Sequence, residues 1–423
     1  MSVTNANLID KMECGLHPGA GAVLETLVRV ADEARQPIYL VGGPVRDLLL
    51  DTPTLDLDLT VEGDAPTLAS RGATITGDRI VRHPAFRTAT LRGKGYSLDL
   101  AMARTETYRH PGALPRVRPA SVREDLRRRD FTINAMALGL GAKERGELLD
   151  PCGGRADLEA GLLRALHETS FADDATRILR AARYETRLGF RLEERTLSWL
   201  RRDIGYLDSI GGARLRQEIS RIFHEATPER ALLRLQELGA LAQIHPSLAF
   251  DKRQASAFRT LRELIPEAIP AACWPLLFWD LDAPAAANLA ARLQLGRAQA
   301  RAVAAIPELQ AMQASLARPG LKPSAVDEQL SLQPPAVVQA LAAATGSAEA
   351  RQRSLDYLGK GRYVQPFLSG ANLLKMGVPQ GPAVREMLRQ LKVAKLDGEV
   401  ASRKEEEQLV LSLLASGTAR RSK

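Results

Sequence analysis

The chain has 423 residues, of which 45% are apolar and 26% charged, values close to the averages of globular proteins. This composition excludes wholesale disorder. There are 58 lysines and arginines against 50 acidic residues, and the resulting net charge of +8 suits a polyanionic partner. Aromatic residues make up only 4%, which argues against recognition of nucleic acid through many stacked bases.

The cysteine pattern and the apolar runs narrow the class of protein further. Cys14, Cys152 and Cys273 lack the spacing of a disulfide scaffold or a zinc site, which fits a reducing compartment. The most apolar run, residues 269–279, is too short to cross a bilayer. Residues 1–10 lack the pattern of a signal peptide. We therefore expect a soluble, cytoplasmic protein that does not enter a membrane.

The first part of the chain predicts a mixture of helices and strands. Apolar residues at helical spacing predict a helix over 23–34, and short or alternating apolar runs predict strands. The predicted strands span 38–41, 55–61, 86–91 and 96–103. Gly42 and Gly43 end the first strand, and a helix follows through Leu50. Ser121 and Glu124 have the spacing of a capping box that opens another helix.

From about Asp157 onward the periodicity predicts helices and no strands. Predicted helices span 173–188, 213–224, 228–238, 285–293 and 383–391, with connectors at 317–323 and 377–382. The fold class is therefore α+β, a small head with a mixed β-sheet followed by a long all-helical body and tail. The expected domains are a head (1–150), a helical neck (151–225), and a helical body and tail (226–423).

Three carboxylates are candidates for a metal site. Asp56, Asp58 and Thr60 alternate with apolar residues, so a strand there places them on one face. Asp99 repeats the pattern on a later predicted strand, and its carboxylate joins the other two if the strands are neighbours. Such a group suits Mg²⁺ and two-metal phosphoryl or nucleotidyl transfer. The alternative is an ordinary solvated strand face, with Asp99 a plain surface residue.

A second candidate lies where the first predicted strand ends. Gly42 and Gly43 precede a helix start, where backbone N–H groups attract phosphate and glycine permits a close approach. Arg46 lies on the first helical turn and adds positive charge. A simple strand–turn–helix connection uses glycine equally well, so the pattern alone leaves both interpretations open.

Taken together, five segments in this order resemble the class II family of tRNA nucleotidyltransferases and poly(A) polymerases. The segments are Gly42–Asp47, Asp56–Asp58, Arg128–Ala137, Asp150–Gly154 and Asp173–Tyr184. The resemblance implies an enzyme that uses Mg²⁺, CTP and ATP to add CCA, or part of it, to the 3′ end of tRNA. Pyrophosphate is released, and no nucleic-acid template is needed.

Position by position, the resemblance implies two groups of site residues. Asp56 and Asp58 would hold the metal ions, and Asp99 would be the third catalytic carboxylate. The residues implied to bind the nucleotide are Gly42, Gly43, Arg46, Arg129, Asp130, Asn134, Asp174, Arg177 and Arg180. Within this group, Arg129, Asp130 and Asn134 would contact the sugar and triphosphate. The alternative for the arginines at 127–129 is a basic helix face exposed to solvent.

Asp174 and Arg177 are the candidates for reading the base. Their i, i+3 spacing near a predicted helix start would point both side chains the same way, with Arg180 bracing them. Cytosine and adenine both present a ring-nitrogen acceptor beside an amino donor, which an Arg donor and an Asp acceptor complement. Uracil and guanine present the opposite pattern and are rejected. The alternative is a helical ion pair without a ligand.

Two further segments resemble parts of the family. Residues 214–222 resemble a helix that supports the nucleotide pocket, although Glu218 and Arg221 suit an ordinary helical ion pair equally well. Residues 104–125 contain three prolines and predict a loop rather than a helix. The resemblance implies that such a loop accompanies the switch to ATP, and the alternative is a passive connector.

The specific activity stays open within the family. Full CCA addition is the first expectation, with A-only addition, CC-only addition and bacterial poly(A) polymerase as alternatives. The helical body would bind the tRNA acceptor arm, mainly through its phosphates. Two other classes are a non-catalytic RNA-binding relative, disfavoured by the paired Asp56 and Asp58, and a small-molecule nucleotidyltransferase, disfavoured by the long basic body.

Overall fold

The computed structural model describes residues 6–52, 57–84, 87–107 and 116–416. The chain forms two compact units. The first comprises residues 1–218 with 237–244, and the second comprises 219–236 with 245–423. These units do not test the three predicted domains, which remain a prediction.

Helices dominate the described chain, and the strands lie in its first half. The strands are β1 Ile38–Val41, β2 Leu57–Val61, β3 Arg79–His83, β4 Thr88–Gly93, β5 Tyr96–Met102, β6 Arg104–Thr107, β7 Arg116–Pro119, β8 Ala137–Gly139, β9 Leu148–Leu149, β10 Leu162–Leu163 and β11 Arg191–Leu192. The helices up to residue 250 are α1 Ala6–Gly15, α2 Pro18–Glu33, α3 Gly43–Leu49, α4 Ala65–Thr76, α5 Val122–Arg127, α6 Gly154–Glu159, α7 Ser170–Asp173, α8 Thr176–Leu188, α9 Glu194–Asp203, α10 Gly212–Phe223, α11 Pro228–Leu238 and α12 Ala240–Ile244. The later helices are α13 Lys252–Leu264, α14 Cys273–Leu277, α15 Ala283–Arg292, α16 Arg297–Ala304, α17 Ile306–Leu316, α18 Pro323–Leu330, α19 Pro335–Ala344, α20 Ala348–Gly359, α21 Gly370–Lys375, α22 Pro382–Leu396 and α23 Arg403–Ala415.

A seven-stranded mixed sheet organises the first unit, in the order β3-β4-β5-β2-β1-β8-β9. Strands β2 and β5 pair in parallel, and the other neighbours are antiparallel. The parallel pair sets Asp58 opposite Asp99. The predicted α+β class is therefore confirmed, and the condition for Asp99 to join Asp58, that their strands are neighbours, is met.

Strand β1, which lies between β2 and β8, is buried on both faces of the sheet. Ile38 and Leu40 of β1 pack into a large apolar core formed with residues of α1 to α4 and the neighbouring strands. Tyr39 and Val41 point to the opposite face, where they join a smaller cluster that includes Leu126 of α5. Because residues alternate across a strand, the four apolar residues of β1 contribute to both cores. This burial anchors the strand that leads into the turn at Gly42.

Three local predictions are corrected by the structure. The strand signal does not vanish after residue 157, because β10 and β11 form a two-residue parallel pair. The predicted helix over 173–188 is broken, since α7 ends at Asp173 and α8 begins at Thr176. The predicted loop over 104–125 contains an antiparallel hairpin stem, β6 with β7, and then α5 with the predicted capping box. Residues 108–115 and Asp56 lie outside the described residues.

The second unit is helical throughout its described residues, as predicted. Its first part has an aromatic core in which Phe223 packs edge-on against Trp274 at 5.0 Å, and Phe258 against Phe250 at 5.3 Å, between ring centroids. A second apolar cluster joins α21, α22 and α23. The three cysteines are free, as predicted. Among the described helices of the whole chain, none combines the length and apolar character needed to cross a membrane.

Candidate active site

Two of the three predicted carboxylates lie side by side on the sheet. Asp58 and Asp99 are register partners on the parallel strands β2 and β5, and both are exposed between buried leucines. Thr90 of β4 donates a hydrogen bond of 2.5 Å to Asp99 Oδ1, which orients that carboxylate. Two adjacent carboxylates fit Mg²⁺, which takes one or two protein carboxylates and fills its shell with water and phosphate oxygens. The described residues hold no group of three or more His, Cys, Asp or Glu side chains placed around one metal ion.

The glycine turn after β1 brings an arginine close to the backbone. Gly42 has a φ of +74°, which side chains other than glycine rarely adopt, and its N–H donates to the Met136 carbonyl. A Cβ at this position would lie 2.7 Å from Arg129 Nη1. The positive φ favours glycine here, and a Cβ would displace the Arg129 guanidinium, which lies against the turn that leads into Gly43 and α3.

Behind this turn lies a buried chain of polar side chains. Arg46 Nη1 donates to Asn134 Oδ1 at 2.6 Å, and Asn134 Nδ2 donates to Asp130 Oδ1 at 3.1 Å. Arg180 Nε donates to Asp130 Oδ2 at 2.8 Å. The chain joins residues that are widely separated in sequence but were all predicted to bind the nucleotide. Arg46, predicted as a charge on the first helical turn, is only 2% exposed.

The charges in this chain stabilise one another. Burial alone would raise the pKa of Asp130, but the Arg180 guanidinium and the Asn134 amide outweigh burial and lower it to about 2. Burial opposes the charge of Arg180, and Asp130 more than compensates, so the pKa of Arg180 is raised. Both groups therefore stay ionised over the ordinary pH range.

The proposed base-reading pair has a different geometry from the one predicted. Asp174 has an extended backbone (φ −145°, ψ 95°) and precedes α8, so the i, i+3 relation within one helix is wrong. Its Oδ1 accepts hydrogen bonds from the N–H and hydroxyl of Thr176 at 3.0 and 2.7 Å. The carboxylate caps the new helix start, as short acidic side chains commonly do. Arg214 Nη2 of α10 also donates to Oδ1, at 2.8 Å.

Arg177 is held by other groups than Asp174. Its Nη1 donates to the Ser170 hydroxyl at 2.6 Å, and its Nη2 donates to the Arg128 carbonyl at 2.7 Å. Arg177 is 6% exposed and Ser170 is fully buried. Arg180, predicted to brace the pair, donates instead to Asp130. The two candidate base readers are thus positioned separately, Asp174 by α10 and Arg177 by α7 and the segment after α5.

A cluster of charges connects the hairpin stem to the same segment. Asp125 is fully buried, and it accepts from the backbone N–H of Arg104 and from the guanidinium groups of Arg128 and Arg129. Arg128 Nη1 also donates to Glu106 Oε1 of β6 at 2.8 Å. Burial would raise the pKa of Asp125, but Arg129 and Arg128 lower it. The arginines at 128 and 129 are therefore not a solvated helix face.

Sequence reasoning missed three residues of this site. Asp125 had a signal, because its i+3 and i+4 neighbours are Arg128 and Arg129, the spacing of helical ion pairs. Ser170 had no signal, since its contact with Arg177 depends on the break between α7 and α8. Tyr184 lies inside a segment that was singled out, yet its contact with Arg46 of α3 cannot be deduced from spacing.

Chemically, the site combines exposed carboxylates with buried, ionised arginines. Carboxylates that face solvent can hold a divalent cation, and fixed guanidinium groups stabilise the charge of a polyphosphate. This arrangement suits transfer of a nucleotide from a triphosphate. Comparison with known proteins supports the same conclusion. Residues 38–164 match the family model of the poly A polymerase head domain, and residues 189–251 match that of a probable RNA and SrmB-binding site of polymerase A.

Two relatives match over nearly the whole chain. An A-adding tRNA nucleotidyltransferase of Halalkalibacterium halodurans is 32% identical, over 94% of this chain and 94% of its own length. An A-adding tRNA nucleotidyltransferase of Geobacter sulfurreducens is 34% identical over 93% of this chain, which spans only 47% of that longer protein.

Solved structures show the same fold. The apo form II of a CCA-adding enzyme superposes with a TM-score of 0.76 at 30% identity, covering 97% of this chain and all of the other. A Thermotoga maritima CCA-adding enzyme complexed with tRNA superposes with a TM-score of 0.72 at 29% identity, covering 96% and 98% of the two chains. The fold and these relatives agree, and the chain belongs to the family of tRNA nucleotidyltransferases that share the poly(A) polymerase head domain.

Proposed function

We propose that this chain adds nucleotides from CTP and ATP to the 3′ end of tRNA, the terminal A included. The observation that carries the proposal is the in-register pair Asp58 and Asp99 in the same unit as the chain Arg46–Asn134–Asp130–Arg180. In the reaction, the 3′-hydroxyl oxygen of the tRNA forms a bond to the α-phosphorus, and the bond to pyrophosphate breaks. Fixed charges that stabilise this rearrangement require little reorganisation.

Asp58 and Asp99, together with Asp56, would hold the metal. The chemistry that Mg²⁺ would supply there is a lower pKa of the attacking hydroxyl and neutralisation of triphosphate oxygens. The partly buried arginines act on the same charge from the protein side. Arg180 is protonated at any ordinary pH, and its hydrogen bond to Asp130 holds the guanidinium where its charge would act on the triphosphate and the departing pyrophosphate.

Base choice is assigned to Asp174 and Arg177. Three donor groups converge on Asp174 Oδ1, so we assign Oδ2 as the acceptor for the amino group of cytosine or adenine. The contacts of Arg177 use at most three of the five N–H groups of a guanidinium, and another N–H can donate to the ring nitrogen. The rigid supports from Ser170 and Arg214 keep the pair from adapting to uracil or guanine.

The second unit is proposed to bind tRNA. Support comes from the RNA-binding family model, whose match at residues 189–251 includes residues 219–236 and 245–251 of this unit, and from the similar Thermotoga enzyme that was solved with tRNA. Similar CCA-adding enzymes have also been solved with ATP and with CTP. Contacts to the tRNA phosphates predict binding that weakens steeply with added salt.

A-only addition is the second candidate, because the two relatives above are both A-adding enzymes. A single experiment separates the candidates. Three tRNA transcripts, ending at the discriminator base, in C or in CC, are incubated with CTP, ATP or both, and the products are resolved by length. Full CCA addition extends all three transcripts, whereas A-only addition extends only the transcript ending in CC. No extension of any transcript would reject the proposal.

A further inference from the structure

One buried tyrosine lies where three segments of the site meet. Tyr184 of α8 is 8% exposed, and three guanidinium carbons lie near the centre of its ring. Arg46 is at 5.3 Å, Arg180 at 5.4 Å and Arg183 at 4.7 Å. Arg180 Nη2 also donates to the Tyr184 hydroxyl at 3.2 Å.

The same ring contacts the segment that carries Asp130. Phe131 packs edge-on against Tyr184, with ring centroids 6.0 Å apart and planes at 84°. Phe131 is fully buried, and its own N–H donates to Asp130 Oδ1 at 2.8 Å. Tyr184 therefore contacts Arg46 of α3, Arg180 of its own helix, and Phe131 of the segment after α5.

The three guanidinium groups around the Tyr184 ring carry like charges and repel one another. Each therefore needs an attractive contact with a group that is fixed in place. The faces of an aromatic ring carry negative charge density, and contacts with a cation within about 6 Å are attractive. Arg46 and Arg180 each have a carboxylate as well, Asp47 at 2.7 Å and Asp130 at 2.8 Å. The carboxylates fix one side of each guanidinium, and the ring fixes another.

We propose that Tyr184 is a positioning residue that sets the affinity for the triphosphate by holding Arg46 and Arg180 in place. This inference rests on the proposed function, because it takes the charges of buried Arg46 and partly exposed Arg180 as acting on the triphosphate. Tyr184 has no described contact with Asp174 or Arg177. Its loss is therefore expected to affect CTP and ATP alike, unlike a change in the base readers.

Two substitutions separate the hydroxyl from the ring. Tyr184→Phe removes the hydrogen bond to Arg180 but keeps the ring, and the KM for both nucleotides should rise about threefold. Tyr184→Leu removes the ring as well, and the same KM values should rise about tenfold or more. In both variants kcat should stay within about twofold, because the tyrosine does not touch the reacting atoms.

Tyr96 provides the matched control. It is a partly buried tyrosine of the same unit, and its hydroxyl donates to Asp78 at 2.8 Å. Tyr96→Phe and Tyr96→Leu should alter melting temperature without changing the KM for either nucleotide. A purely structural role for Tyr184 predicts the same behaviour, so a lower melting temperature with wild-type KM values would overturn the proposal. If Tyr184→Leu does not fold, Tyr184→Phe decides alone.

A binding measurement keeps this inference distinct from the proposed function. Dissociation constants for ATP and CTP are determined by calorimetry with Mg²⁺ and without tRNA. A wild-type chain that binds both nucleotides but extends no tRNA would count against the proposed function alone. Wild-type dissociation constants in both Tyr184 variants would count against the positioning role alone, and loss of affinity in the order wild type, Phe, Leu would support it.

Discussion

The two units bury charged side chains in different ways. Among the described residues, every arginine that is buried as a whole lies in the first unit, at Arg46, Arg177 and Arg183. The buried carboxylates of the second unit lie in separate contacts, each with partners from a distant segment. Glu229 pairs with Arg262 at 2.8 Å, and Glu406 accepts from two backbone N–H groups that precede α21.

This difference distinguishes charged groups that support the fold from charged groups that act on a substrate. A buried ion pair adds little net stability, because desolvation offsets the attraction, and an isolated pair mainly fixes local geometry. The first unit instead links its charges through shared partners, from Arg46 to Asn134, Asp130 and Arg180. Linked, ionised groups beside exposed carboxylates are typical of sites that bind a charged substrate.

The largest effect is expected at the carboxylates that would hold the metal. Asp58→Ala, and likewise Asp56→Ala, should reduce nucleotide incorporation at least about a thousandfold, because a metal contributes several kcal/mol of charge stabilisation. Binding of tRNA should survive, since it depends on phosphate contacts elsewhere. Incorporation is measured with labelled CTP and ATP, and tRNA binding by gel shift.

The exposed Asp10 of α1 is a suitable control for removal of a carboxylate, and Asp10→Ala should leave both measurements unchanged. Near-normal turnover in the Asp58 variant would contradict the metal assignment. Loss of tRNA binding together with incorporation would point to a folding defect.

The next effect concerns base choice. Asp174→Ala removes the acceptor for the amino group of cytosine and adenine, and also the repulsion against a carbonyl. A charge-assisted hydrogen bond contributes roughly 1.5–3 kcal/mol, so CTP and ATP use should fall about ten- to a hundredfold, while UTP and GTP use rises relative to them. The ratio of incorporation efficiencies for the four nucleotides gives the answer.

Ser170→Ala extends the same test, because it loosens Arg177 without touching the base. It should shift the nucleotide ratio in the same direction by a smaller factor. A melting temperature that falls while the ratio stays constant would return Asp174 and Arg177 to the role of structural charges.

A pH experiment tests how the ionisation of Asp130 contributes to the stability of the first unit. The pKa of Asp130 is lowered to about 2, below the value of about 3.9 in an unfolded chain, so its ionisation stabilises the fold above about pH 4. That stability, about 2 kcal/mol, is lost as the pH falls from about 4 to 2. The difference in unfolding free energy between wild type and Asp130→Asn should therefore shrink over this window.

Glu229→Gln is the counterpart in the second unit. It should lower stability and leave the KM for both nucleotides unchanged, whereas Asp130→Asn should change stability and KM together. If both variants changed only stability, the distinction between structural and functional charge in the two units would be lost.

Much of this site could be predicted because its elements are local. The strand Leu57–Val61 and the glycine turn at Gly42 are dictated by residues next to one another, and both form. The predicted alternation of exposure holds for Leu57, Asp58 and Leu59, whereas Thr60 is buried. The break before Thr176 could not be predicted from the sequence. The Asp174 carboxylate accepts from the N–H of Thr176 where α8 begins, but the same residues could also have continued one helix from Asp173. Asp130, Arg177 and Tyr184 each have at least one partner from a distant segment, and no spacing along the chain encodes such a contact.

The smallest effect is expected at the hairpin stem, where a predicted loop proved to be paired strands. Arg128 links the stem to the base reader, because its side chain donates to Glu106 and its carbonyl accepts from Arg177. Adenine is larger than cytosine, so the same pair of side chains must shift to meet its edge. Deletion of 107–116 should therefore spare C addition and reduce A addition about tenfold, and Glu106→Gln should have a weaker effect of the same kind. Addition of one C and of the final A is measured on transcripts ending in C and in CC. An equal loss of both activities would make the hairpin a structural support and remove its coupling to the base reader.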